Sequence, residues 1–297
     1  MAARSLLTFF LVTFAISWPC FSAVALLQPG PLRTLLLFLG IFAPSFVALS
    51  LTARAEGRAG VLELLRRLIQ WRVPARWYVF AVAYMAAVKL VVALLHRVLT
   101  GAWPRFGTDA WYLIILATVF STVVGGQAGE EIGWRGYALP RLANHFGYAR
   151  ASVLLGVIWA LWHLPIFFIP GADKYGQSFP VYALEVTALS VAVTWLYEHT
   201  NGSLLLAMLM HSAVNQSIGI VPSPVPGGTN PFTLSSSLAA WLTVAVLWIC
   251  AGYFLIRMRR AGVPPAASAR LARSPSWSPG ETPGDCGREI ARRSSHA

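Results

Sequence analysis

The sequence predicts an all-α fold: a polytopic membrane bundle of about eight transmembrane helices. Three observations predict it. Of the 297 residues, 57% are hydrophobic and 11% are charged, whereas a soluble domain carries roughly 25% charged residues. The mean hydropathy is +0.62. The apolar residues also fall into runs of about 20, the length a hydrocarbon core of ~30 Å asks of a helix, with no sign of the alternating strands of a membrane barrel. An ordinary soluble enzyme is excluded. So is disorder for most of the chain, since disorder requires low hydrophobicity. Nucleic acid is not expected as a partner despite the formal net charge of +12. The basic residues lie between apolar runs, not on a basic face with interleaved aromatics.

The runs are 5–27, 33–53, 77–99, 110–128, 150–170, 180–197, 201–220 and 237–257. The first follows Arg4 and contains Phe21-Ser22-Ala23, as a cleaved signal peptide would. It is long, and another run follows at once, so it reads as a retained span. Residues 54–76 are not a span. Val61, Leu64, Leu65, Leu68 and Ile69 share a helical face and Arg66, Arg67 and Arg72 supply charge. This segment reads either as an interfacial helix on the anionic cytoplasmic leaflet or as a connector packed on the bundle. The third run contains Lys89 and the sixth Glu185. The fourth is extended by the polar stretch GGQAGEEIGWRGY, and the seventh is short. The organisation is therefore N-terminal helices over 1–110, a central core over 111–220, a last helix over 221–260 and a tail over 261–297. The tail is rich in Arg, Pro and Ser and should be disordered. Cys20, Cys250 and Cys286 are too far apart in sequence to suggest a disulfide framework or a metal pair.

The basic residues set the orientation. With eight spans and a cytoplasmic N-terminus, 18 arginines fall inside, whereas Arg33, Arg97, Arg105 and Lys174 make four outside. Seven spans would put the arginine-rich tail on the wrong side. The expectation is a multi-pass protein of the cell membrane with both termini cytoplasmic.

A charged side chain near the bilayer centre costs about 2.5–3.5 kcal/mol on insertion scales, so polar groups within runs need a reason. Glu131 and Arg135 are four apart and can pair on a helix. Glu130 lies about 100° around the axis, free for other work. Alone, this could be a salt-bridge cluster ending a span. Trp159 and His163 are also four apart, with Pro165 just beyond; alone, the histidine could be a packing residue. His211 and Asn215 share a face in the seventh run; alone, they could be interhelical polar glue. Inward-facing polar groups from three helices tend to meet, however. Glu, two His and Asn suffice for hydrolysis by water: a carboxylate takes the proton, one histidine holds the water, and the other histidine and the amide donate to the oxyanion.

At these motifs, EEIGWRG, WALWH and HSAVN, the sequence resembles the CAAX protease and bacteriocin-processing family (CPBP, or Abi, intramembrane proteases), which includes the type II CAAX prenyl endopeptidases. The resemblance runs over roughly residues 115–220, with GYALPRL and SLLLAMLMHSAVN as supporting context. It implies a membrane-embedded cavity in the bundle. It implies Glu130 as catalytic glutamate, His163 as its partner in holding water, His211 and Asn215 as the oxyanion site, and Glu131 and Arg135 as supports. Trp159 stands where the family usually has Phe, an exchange expected to leave the chemistry untouched and at most reshape the pocket. The family is often called a metalloprotease family, and its mechanism is also read as metal-free. Glu130, His163 and His211 are a possible zinc set, while Asn is a poor zinc ligand. No cofactor is required by the sequence itself.

Other protease signatures are missing: there is no HExxH, no GxSG and no intramembrane GxGD. The expected activity is glutamate-dependent intramembrane endopeptidase. Its substrate would be a peptide or membrane-anchored protein, entering from the cytoplasmic side or laterally. Its rate should fall in mild acid as the base is protonated. Two other classes compete. An ion- or proton-coupled transporter would use Glu130, Glu131 and His163 as a path, but no broken-helix pair or inverted repeat is seen. A non-catalytic membrane scaffold would keep the fold without the reaction.

Overall fold

The computed structural model of the chain describes residues 2–107, 110–222 and 230–260. The described residues lie within the unit Met1–Val263. The segment 261–297, expected as a disordered tail, lies outside them.

Every apolar run forms helix. In chain order they are α1 (Ala2–Leu26), α2 (Pro31–Arg66), α3 (Ala75–Thr100), α4 (Trp111–Val124), α5 (Gln127–Glu131), α6 (Leu139–Trp162), α7 (Phe179–His199), α8 (Leu204–Gln216) and α9 (Leu238–Arg260). Among the described residues, six helical segments are long and apolar enough to cross a bilayer. The 14 residues of α4 and the 13 of α8 are not. At 1.5 Å per residue each reaches only about 20 Å.

Two departures from the expected runs shape the site. The fourth run does not continue into the polar stretch. It stops at Gly125, whose backbone is extended, and the motif opens a new helix. That helix widens into a π-helical segment over Ile132–Ala138, where the Leu139 N–H donates five residues back to the Trp134 carbonyl. Single π turns are typical of functional sites. The fifth run is α-helical only to Trp162. His163 caps it, and a 3-10 turn over Leu164–Phe168 follows, because Pro165 has no N–H to give a continuing helix.

α2 is bent at Gly57, whose φ of 63° is left-handed and favours glycine. The residues after it, with a 3-10 turn over Arg67–Ile69, form a separate short amphipathic stretch. Leu64 is its buried anchor.

Inside a bilayer, burying an apolar group against protein gains little over burying it in lipid, so close packing and polar pairs decide. Two packed regions result. In one, α1 and α2 pack on the π segment and α6. Phe9 meets Trp134 edge-on at 5.6 Å and Phe21 meets Trp162 at 5.4 Å. α1 is thus the cover of two tryptophans that flank the site. Ser17 ties it to α2 by donating to the Gly40 carbonyl at 2.8 Å. In the other, α3, α7, α8 and α9 pack through small residues such as Ala188, Ala192, Ala207 and Ala251. α6 lies along α7, with Ser190 donating to the Ser152 carbonyl at 2.9 Å. Cys20 and Cys250 are free and half-buried.

Candidate active site

Four elements bring the polar motifs together: α5 with the π segment, the end of α6, the start of α7, and α8. α2 holds the first in place. Ser45 shares its hydroxyl proton between the carbonyls of Ala128 and Gly129, each at 2.8 Å. Gly133 lets α2 approach, since a Cβ there would sit 2.7 Å from the Pro44 carbonyl oxygen. α8 is started by Ser203, which accepts from the Leu206 N–H, and α7 by Ser178, which accepts from Val181. These are ordinary N-caps.

The two neighbouring glutamates face different partners. Arg135 donates to Glu131 Oε1 at 2.8 Å with both side chains fully buried. His211 Nδ1 donates to the same oxygen at 2.9 Å. Glu130 turns the other way. The Trp159 indole N–H donates to its Oε2 at 2.7 Å, and His163 Nε2 stands 3.9 Å from that oxygen. His163 Nδ1 donates to the Trp159 carbonyl at 2.8 Å, which fixes Nε2 as the nitrogen presented to Glu130.

Trp159 is not a neutral aromatic exchange. Its N–H touches the carboxylate, and its ring lies over Arg135 with the guanidinium carbon 4.2 Å from the centroid. Phe could supply the ring but not the hydrogen bond. The exchange thus adds a direct contact to Glu130, beyond the reshaped pocket that was expected.

Asn215 lies one turn beyond His211 on α8. It is exposed, and no hydrogen bond among the described residues joins it to the cluster. The structure thus brings together Glu130, Glu131, Arg135, Trp159, His163 and His211, and leaves Asn215 at the margin. Tyr182 joins the site without having been singled out. Its ring packs edge-on against His163 at 5.5 Å and Phe167 at 5.1 Å. Its sequence signal was slight: a polar-tipped residue one turn before Glu185 on an otherwise apolar run. Lys89 and Glu185 attract one another electrostatically across α3 and α7.

A family model described as Type II CAAX prenyl endopeptidase Rce1-like matches residues 108–217. Over residues 108–217 the chain is thus similar to the CAAX-type intramembrane proteases. Over 229 residues the chain is also 25% identical to a protein named CAAX prenyl protease 2 from Methanococcus maripaludis, covering 70% of this chain and 81% of that relative. Every residue of the cluster lies in the matched segment. The chain is accordingly a multi-pass membrane protein whose core is similar to that of CAAX-type proteases.

Whether that core fits zinc depends on its donors. Both histidines have Nδ1 tied back, as zinc ligands often do. But Glu130 Oε2 is taken by an indole, and Glu131 by arginine and histidine. Among the described residues no three His, Cys, Asp or Glu side chains come together at metal-ligand spacing. The donor set does not make a zinc site in this arrangement.

Proposed function

We propose that the protein is a glutamate-dependent endopeptidase that hydrolyses peptide bonds of membrane-associated peptides or proteins, in the manner of CAAX processing. One observation carries the reading: Glu130 and His163 face each other across 3.9 Å. That gap is too long for a direct hydrogen bond and suits one shared water.

With Nδ1 given to the Trp159 carbonyl, His163 Nε2 orients the water by accepting a hydrogen bond from one of its O–H groups. Glu130 takes the proton of the other as the water oxygen adds to the scissile carbonyl, then passes it to the departing amine. Atoms balance: water and amide give acid and amine. Charge grows on the carbonyl oxygen, and His211 with Asn215 donates to it. His211 spends Nδ1–H on Glu131, so Nε2 donates only from the doubly protonated ring. The Glu131 carboxylate is placed to hold that charge. Substrate covers Asn215, whose exposed position suits a donor awaiting its acceptor. The distribution of arginines supports cytoplasmic termini in the cell membrane, with substrate entering from the cytoplasmic side or from the bilayer.

Comparative membrane peptidomics of the unaltered chain against Glu130→Gln tests the reading. The variant keeps shape and loses the base, a role worth about 10²–10⁴-fold, so substrates should persist uncut. An unchanged set of cleaved partners would refute the protease reading and favour the scaffold. Loss of a proton flux instead would favour transport.

A further inference from the structure

We infer that the surface between α2 and α3 is a binding site for the phosphate of an anionic phospholipid headgroup. The 3-10 turn Arg67–Ile69 and the residues after it border a shallow cleft of about 330 Å³ whose polar lining is Glu63, Arg66, Arg67, Gln70 and Arg72. A second cleft of about 580 Å³ adjoins it, lined by Val73, Pro74 and Tyr78. Trp71 and Arg72 line both. One compartment is cationic and the next largely apolar, which is the order of groups in a phospholipid.

The cations of the first compartment are under-used. Arg66 and Arg67 share the one carboxylate of Glu63, each at 3.9 Å. Exposed pairs at that distance are weak. Arg72 only leans on the ring of Trp71, 5.3 Å from its centroid. Three guanidiniums line the cleft with one solvated carboxylate, which leaves net positive charge and spare donors suited to phosphate oxygens. Ile69 and Trp71 are 72% and 62% exposed beside them. Exposed tryptophan next to arginine is the pattern of a membrane–water interface.

The site is also held in place. Gln70 donates its side-chain N–H to the Thr200 carbonyl at 2.9 Å. Ser203 donates to the Gln70 carbonyl at 2.8 Å. Arg67 donates to the Tyr197 hydroxyl at 3.0 Å, and Tyr78 donates to the Trp71 carbonyl at 2.7 Å. The first two bonds fix the loop to the turn between α7 and α8, the third fixes it to α7 and the last to α3, so the backbone that carries the guanidiniums needs little reordering to receive a ligand.

Native mass spectrometry of the full chain, titrated in detergent with phosphatidylglycerol or phosphatidylcholine, tests this. The chain should retain phosphatidylglycerol in preference. Arg66→Gln with Arg72→Gln removes two exposed cations and should weaken that retention roughly thirty-fold, from about five-fold for each cation near an anionic surface. A control of equal charge change, Arg97→Gln with Arg105→Gln near the other end of α3, should retain the lipid normally. Equal retention of the two lipids, or equal loss in the two double variants, overturns the site. Complete displacement of the lipid by millimolar inorganic phosphate overturns the lipid assignment in favour of free phosphate.

Discussion

Among the described residues, two glutamate–arginine ion pairs form at the same four-residue spacing. Glu131 and Arg135 meet at 2.8 Å with neither side chain exposed. Glu63 and Arg67 stand 3.9 Å apart, with 60% of the glutamate and 28% of the arginine side chain exposed. The spacing is the same and the energetics are opposite. Water screens the outer pair and leaves it about 0–1 kcal/mol. The inner pair cannot be broken without leaving a bare charge in a dry interior, at about 3–5 kcal/mol. What separates a surface decoration from a structural element is thus the environment each helix delivers, not the pattern along it.

Arg135→Met should break the comparison at its strong end. It strands Glu131, with only His211 left to satisfy it, and should cost about 3–5 kcal/mol in unfolding measured in detergent micelles. Adding Glu131→Gln should restore part of the loss, because the stranded charge is removed. Little change on Arg135→Met alone would show that the pair is solvated after all. Asn215→Ala sharpens the contrast from another side, since this residue is exposed and would still matter once substrate covers it. Loss of one oxyanion donor should lower kcat by about 10²–10³-fold, with folding unchanged; an unaltered kcat would remove Asn215 from the mechanism. Trp159→Phe should come next, losing the charge-assisted hydrogen bond to Glu130, about 1.5–3 kcal/mol, seen as a kcat lowered by roughly ten- to a hundred-fold. The smallest effect belongs to Glu63→Gln, below about 1 kcal/mol in the same unfolding measurement.

The helices were legible because hydropathy and length decide membrane spans almost alone. The pairing of Glu131 with Arg135 was legible because i,i+4 neighbours meet on any helix. The stop at Gly125 and the π turn after Glu131 were not. Glycine is tolerated in helices, and nothing in IGWRGYA distinguishes a wide turn from an ordinary one. The exposure of Asn215 was hidden for a similar reason: α8 is 13 residues long, and a residue in its last turn lies beyond its neighbours' cover. The bond from Trp159 to Glu130 joins positions 29 apart. Only the tertiary fold that brings Glu130 to the end of α6 determines it, so a comparison of aromatic with aromatic missed it.

That single indole has a larger consequence. Trp159 gives its N–H to Glu130, its π face to Arg135, its ring edge-to-face to His211 at 5.2 Å, and its backbone carbonyl to His163. It is the hub through which both acids and both imidazoles are mutually registered. Such a centre has no separable modules. Substitutions around it should combine non-additively, and retuning this enzyme for another substrate would require changing several positions in concert, with residue 159 as the last to be altered.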